Sequence, residues 1–239
     1  MGEFIDLVRD GGSAMRAYKA LPASGRGPVV VVLQEIFGVN AAMRSVADDL
    51  AANGFVALVP DMFWRIEPGI ELDYGDEGLQ KARAAWQAFD LEAGVADAAA
   101  AIAAGRKLAE GTGKVAVLGF CLGGQVAVKA AAREPADAVV SFYGVRLHES
   151  LDEIAGLACP TLFHFGDADG HIPAETRAAI GGVASGKPGM EMCVYADAGH
   201  GFFNAFRASG FDAKAHEQSR ARSLDMLSKA LGVETAAAS

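Results

Sequence analysis

The run Val29-Val30-Val31-Val32-Leu33 limits the architecture more than any other stretch of this chain. It has no polar residue on either side of a strand's alternation, so it reads as a strand buried on both faces, the situation of a parallel sheet covered by helices. The same rhythm continues along the sequence. Phe55 to Val59, Lys114 to Gly119, Ala138 to Phe142, Pro160 to Phe165 and Met190 to Tyr195 read as further strands. Between them Met43, Val46, Ala47 and Leu50 recur at helical spacing, and Trp86 to Leu108, Leu122 to Ala132, Ala174 to Ala184 and Ala213 to Leu231 read as helices. Alternation of this kind builds right-handed βαβ units, hence an α/β fold with a mostly parallel central sheet flanked by helices on both faces. Phe4 to Ala20, two short extended runs about Gly11-Gly12, fits an N-terminal antiparallel hairpin at the sheet edge. No linker interrupts residues 1–239, which read as a single domain, and the long loop from Pro60-Asp61 through Tyr74 has the length of a functional loop.

Lysine and arginine number 21 against 30 aspartates and glutamates, a net charge of −9 that argues against nucleic acid or an anionic membrane as partner. The most apolar stretch, Ala98 to Ala104, is too short to span a bilayer, and the opening Met1-Gly2-Glu3-Phe4-Ile5-Asp6 lacks the basic region and apolar block of a secretory signal. Cys121, Cys159 and Cys193 form no CxxC and cannot all pair, which suits a reducing compartment. The expectation is a cytoplasmic, monomeric protein whose partner is a small molecule.

Ligands of open α/β sheets sit beyond the carboxyl ends of the strands, so chemistry is sought there. Gly119-Phe120-Cys121-Leu122-Gly123-Gly124 joins a strand to a helix with no room for an ordinary loop. It is a G-x-S-x-G nucleophile elbow with cysteine in the serine position, where the helix N-terminus favours a thiolate and the Leu122 amide can meet an oxyanion. The plain alternative is a buried cysteine beside a tight turn, the reading that fits Cys159 and Cys193. Phe165-Gly166-Asp167-Ala168-Asp169-Gly170-His171 puts Asp167 and Asp169 at the next strand end, either placed to orient a histidine, although an Asx-type turn suits Asp167. Ala198-Gly199-His200-Gly201 follows the last strand on a glycine-flanked loop. The order nucleophile, acid, histidine is that of α/β hydrolases. His164, within a strand, reads as a hydrogen-bonded core residue.

Gly111-Thr112-Gly113-Lys114 lacks the earlier glycine and the following Ser/Thr of a P-loop, and a cluster of His164, Asp167, Asp169 and His171 lacks the remaining ligands of a calcium loop. No cofactor and no metal are expected.

Taken together, Gln34-Glu35-Ile36-Phe37-Gly38-Val39-Asn40, Trp86-Gln87-Ala88-Phe89-Asp90, Gly119 to Gly124, Tyr143-Gly144-Val145, His164-Phe165-Gly166 with Asp169 and Ile172-Pro173, and Ala198-Gly199-His200 resemble the signatures of the dienelactone hydrolase (carboxymethylenebutenolidase) family, along nearly the whole chain. The resemblance implies the α/β-hydrolase fold and a triad of Cys121, Asp169 and His200, its G-x-x-D register selecting Asp169 over Asp167. It further implies oxyanion donors in the amides of Ile36 and Leu122. Glu35 is implied to hold the resting thiol and take its proton when substrate enters, a role suited to a carboxyl among Leu33, Ile36 and Phe37.

Substrate recognition departs from the family. The arginines that hold a dienelactone carboxylate fall at Asn204 and near Leu79 or Gln80 here; Lys81, Arg83 and Arg207 stand within neighbouring turns as candidate replacements. Phe37, Phe63, Trp64, Trp86, Tyr143 and Phe203 are candidates for an aromatic pocket wall. The expected activity is cleavage of a carboxylic ester or lactone through an acyl-enzyme. The alternatives are a related esterase or thioesterase acting on a different small ester, and a ligand-binding protein that retains the triad.

Overall fold

A computed structural model describes residues 2–10 and 13–233. Strands β1 (Glu3–Asp10) and β2 (Ser13–Ala20) form the antiparallel hairpin expected at the amino end, with its Gly11-Gly12 turn outside the described residues. There follow β3 (Gly27–Leu33), α1 (Ala41–Ala52), β4 (Val56–Pro60), α2 (Asp76–Ala88), α3 (Leu91–Arg106), β5 (Gly111–Phe120) and α4 (Leu122–Arg133). The chain continues through β6 (Ala138–Phe142), a short 3-10 turn, α5 (Leu151–Gly156), β7 (Thr161–Gly166), α6 (Ala174–Ser185), β8 (Met190–Tyr195) and α7 (Ala213–Leu231). The strands make one eight-stranded sheet in the order β1-β2-β4-β3-β5-β6-β7-β8, with β3 to β8 mutually parallel.

Val29 through Leu33 are wholly inaccessible, as an apolar run in a central strand requires. Alternation along β5 shows how both faces are covered. Val115 lies against α3 at Gly105, whereas Leu118 and Phe120, of opposite parity, line a small cavity with Val46 and Leu50 of α1 and Leu224 and Leu227 of α7. Helices α1 and α7 are tied by Arg220, whose guanidinium donates to both carboxylate oxygens of Asp49 at 2.6 and 2.7 Å.

The helix expected from Trp86 to Leu108 is two helices. It breaks at Phe89-Asp90, where Asp90 accepts the amide of Ala93 at 3.1 Å and caps α3, and α2 begins earlier, at Asp76. Capping gives Asp90 a partner that a helix interior would deny it. Trp86 thereby falls on the last turn of α2. The loop from Asp61 to Gly75 runs back over the end of β3, where Gly38 bridges Glu71 and the amides of Val39 and Leu72 pair with the carbonyls of Ile70 and Phe37. That return path carries Tyr74 to the strand ends.

Candidate active site

Cys121 is the one residue between β5 and α4, with φ 55° and ψ −114°. This is a strained conformation for a residue with a side chain, and it lifts the thiol clear of both elements. The flanking glycines have a steric cause: a Cβ on Gly119 would strike the carbonyl of Gly123, and one on Gly123 would strike the carbonyls of Leu33 and Gln34 at the end of β3. The same closeness lets the Gly123 amide donate to the Gln34 carbonyl at 3.1 Å, stitching the elbow to the loop that begins at Glu35. Among the described residues no acceptor faces the amides of Ile36 and Leu122, the backbone donors beside this stitch. Free amides at this junction are what an oxyanion requires.

His200, on the loop after β8, places Nδ1 2.8 Å from Oδ2 of Asp169, while the other oxygen of Asp169 accepts the His171 amide at 2.8 Å. With Nδ1 so engaged, Nε2 is the nitrogen left to face Cys121, which acts on the imidazole pKa. Burial works to lower the imidazole pKa, but the charges of Cys121 and Asp169 and their hydrogen bonds overcome it, raising the value from 6.5 to about 10. Burial works to raise Asp169, yet the hydrogen bond and charge of His200 hold it below the ordinary carboxylate range. Asp167 serves elsewhere, accepting the Asp197 amide at 2.7 Å and fixing the turn that leads to His200.

Glu35, 3% exposed, stands in a cage of uncharged donors. Tyr143 donates to Oε1 at 3.2 Å, and Tyr74 and the Asn204 side chain donate to Oε2 at 3.3 and 2.9 Å. Burial and the nearby Glu35 charge push both tyrosine hydroxyls above their usual pKa, keeping them as donors. Tyr74 enters the sequence reading only as the end of a long loop, with no role at the site; nothing in its local pattern distinguishes it, and only the return path of the loop brings it here.

The substrate-side candidates separate. Tyr143 is buried with its ring 5.0 Å from that of His200, and Phe37 packs on Tyr74 at 4.5 Å. Phe203, with Tyr143 and Asn204, lines a cavity of about 280 Å³ between α1 and α7. Phe63 and Trp64 are core instead, Trp64 donating to the buried Asp97 at 2.8 Å. Trp86 is 42% exposed on the outer side of α2, and Lys81 is exposed and paired with Glu77 at 2.8 Å, so neither belongs with the strand-end cluster. A helix turn sets their direction outward, which sequence distance from the motif could not show. Arg83 and Arg207 differ from Lys81: both act on His171, whose pKa is lowered by burial, then by the His200 charge and by these guanidiniums. Arg207 Nη1 lies 3.0 Å from where a Cβ on Gly201 would stand, beside His200, and the T-shaped His171–His200 pair has ring centres 4.8 Å apart. His164 is fully buried between the Tyr195 and Ser223 hydroxyls, each at 2.9 Å, and desolvation lowers its pKa to about 3.

Comparison with known proteins gives the family. The profile of the dienelactone hydrolase family matches residues 15–231. A carboxymethylenebutenolidase of Pseudomonas sp. strain P51 is 41% identical over 95% of both chains, and one of Pseudomonas putida is 39% identical over 94% of this chain and 95% of its own. Among solved structures, a dienelactone hydrolase-like promiscuous phosphotriesterase from metagenomic libraries superposes with a TM-score of 0.79 at 26% identity, covering 97% of this chain and 99% of that one. The chain therefore belongs to the dienelactone hydrolase family and is a hydrolase of lactones or esters.

Proposed function

We propose that the chain hydrolyses a small carboxylic ester or enol lactone of the dienelactone kind through a covalent thioester on Cys121. The observation that carries this reading is the chain of contacts from Cys121 to His200 to Asp169 at the strand ends, beside the free amides of Ile36 and Leu122. The Cys121 sulfur attacks the carbonyl carbon, and the carbonyl oxygen takes up the negative charge between the two amides. Collapse of the adduct breaks the ester C–O bond, and the departing oxygen leaves as an anion. In a lactone the departing oxygen stays attached to the acyl group. Water, deprotonated by His200, then adds to the thioester carbonyl and releases the carboxylic acid; His200 passes the water proton to the departing oxygen, and the Cys121 thiolate takes its own proton back from Glu35. Asp169 holds the imidazole tautomer and the charge it acquires. Glu35 accepts the thiol proton of Cys121 when substrate enters.

The substrate bears an anionic group held by Arg83 and Arg207 at the His171 rim. Among the described residues neither guanidinium has an ion-pair partner, in a chain with net charge −9. Cys121→Ala tests the chemistry: turnover of any accepted ester falls at least ~10⁴-fold with the fold retained, and undiminished hydrolysis refutes the thiol mechanism. Trapping a mass increment on Cys121, and not on Cys159 or Cys193, during turnover of an aryl ester identifies the acyl-enzyme. A panel setting a carboxylated dienelactone against neutral lactones reads the anionic preference.

A further inference from the structure

The Glu35 cage fixes more than the carboxylate's position, because its hydrogens can be accounted for completely. The Asn40 and Asn204 amides have their orientation set by backbone: Oδ1 of Asn40 accepts the Met43 amide at 3.3 Å, and Oδ1 of Asn204 accepts the Phe206 amide at 3.0 Å. Each Nδ2 therefore points its hydrogens into the cage. Asn40 donates to the Leu72 carbonyl at 2.9 Å and to the Tyr74 hydroxyl at 3.1 Å. Asn204 donates to Glu35 Oε2 at 2.9 Å and to the same Tyr74 hydroxyl at 2.6 Å. The Tyr74 oxygen thus accepts two hydrogens, which fills its lone pairs, and its own hydrogen has one place left to go, Oε2 of Glu35 at 3.3 Å. Oε2 accepts from two fixed donors and faces no free acceptor to which it could donate. Oε1 is different. Among the described residues its one partner is the Tyr143 hydroxyl at 3.2 Å, which can rotate to accept as well as donate.

We propose that Tyr74, held by Asn40 and Asn204, is a positioning residue that reserves Oε1 of Glu35, on the Tyr143 side, as the oxygen that receives a proton. This rests on the reading of Glu35 as acceptor of the thiol proton. When that proton arrives, the S–H bond of Cys121 breaks, the O–H bond forms at Oε1, and the Tyr143 hydroxyl turns from donor to acceptor; the electron pair stays on sulfur. The groups around Glu35 that titrate are Tyr74 from the loop before α2, Tyr143 after β6, and Cys121 at the elbow, with His200 beyond Tyr143. Among the described residues no cation pairs with Glu35, so its readiness is set by Tyr74 and Asn204 and not by a charge that substrate would have to displace.

The test follows kcat/KM for 4-nitrophenyl acetate, a neutral ester that makes no demand on Arg83 or Arg207, across the acidic and neutral pH range. Tyr74→Phe withdraws one donor from the carboxylate and moves the acidic limb up by about one unit, with KM nearly constant. Asn204→Ala, which withdraws the other donor to Oε2, moves it the same way and carries the test should Tyr74→Phe fail to fold. In a Glu35→Gln background the limb is gone, and adding Tyr74→Phe changes nothing further. A limb that survives Glu35→Gln refutes Glu35 as the acceptor. A limb abolished by Glu35→Gln but unmoved by Tyr74→Phe, or a Tyr74→Phe effect of equal size in both backgrounds, overturns the role of Tyr74 while leaving Glu35 in place.

Discussion

Removing one sulfur atom should bring His200 part of the way back to the behaviour of an ordinary imidazole, and the size of the effect follows from the site. The His200 pKa is raised from 6.5 to about 10 against a burial that acts the other way, by the charge of Cys121, the hydrogen bonds of Asp169 and Cys121, and the charge of Asp169. Cys121→Ala deletes the Cys121 contributions and leaves burial and Asp169 as they are. The pKa should then fall by roughly 2 units, about a hundredfold in the protonation equilibrium or ~3 kcal/mol. The assay is a pH titration of the imidazole C2–H resonances in both proteins, with His200 assigned by its own substitution. Stability must move with it. A folded-state pKa above the unfolded one means that the native protein holds an extra proton between about 6.5 and 10, so the stabilisation is complete below 6.5 and is lost as pH rises through about 10. The full shift corresponds to about 5 kcal/mol. Urea unfolding across that window should therefore show a steep decline in the wild type and a shallower one in Cys121→Ala. Identical His200 titrations in the two proteins would refute the pairing of thiol and imidazole.

Gly123→Ala should test the packing of the elbow, since its Cβ would meet the Leu33 and Gln34 carbonyls at the end of the central strand. A cost of about 3 kcal/mol, seen as a Tm lower by about 6–12 °C in calorimetry, is expected, and an unchanged Tm would mean that the approach is not tight. Arg83→Ala and Arg207→Ala should each raise KM for a carboxylated lactone about tenfold, near 1.4 kcal/mol, with little change for a neutral ester. High salt should narrow the difference for these exposed or half-exposed cations, and equal losses on both substrates would remove them from recognition.

Local pattern made the sheet readable, because Val29 to Leu33 and the strands like it carry their burial in their own composition. The elbow was readable for a related reason: Gly119, Cys121 and Gly123 must be close in sequence to make one turn. His200 and Asp169 could be placed at strand ends, but their contact depends on how β7 and β8 pair. Lys81 and Trp86 misled because their nearness to a motif says nothing about which side of α2 they take, and that side is set by packing of Ala82 and Ala85 inward. Tyr74 was invisible since its contact with Asn204 spans 130 positions and that of Glu35 with Asn204 spans 169. Polar cages of this sort are assembled by loops whose paths leave no periodic trace.

The hydrogen bond from the Gly123 amide to the Gln34 carbonyl joins the segments that carry the Ile36 and Leu122 amides. One of these segments issues from β3 and the other from β5, strands that pair directly in the middle of the sheet. The two amides proposed as oxyanion donors therefore cannot drift apart unless the central ladder itself opens. On heating, the pair of amides has no early, local way to come apart: loss of the proposed oxyanion site and loss of the fold are expected as one cooperative event.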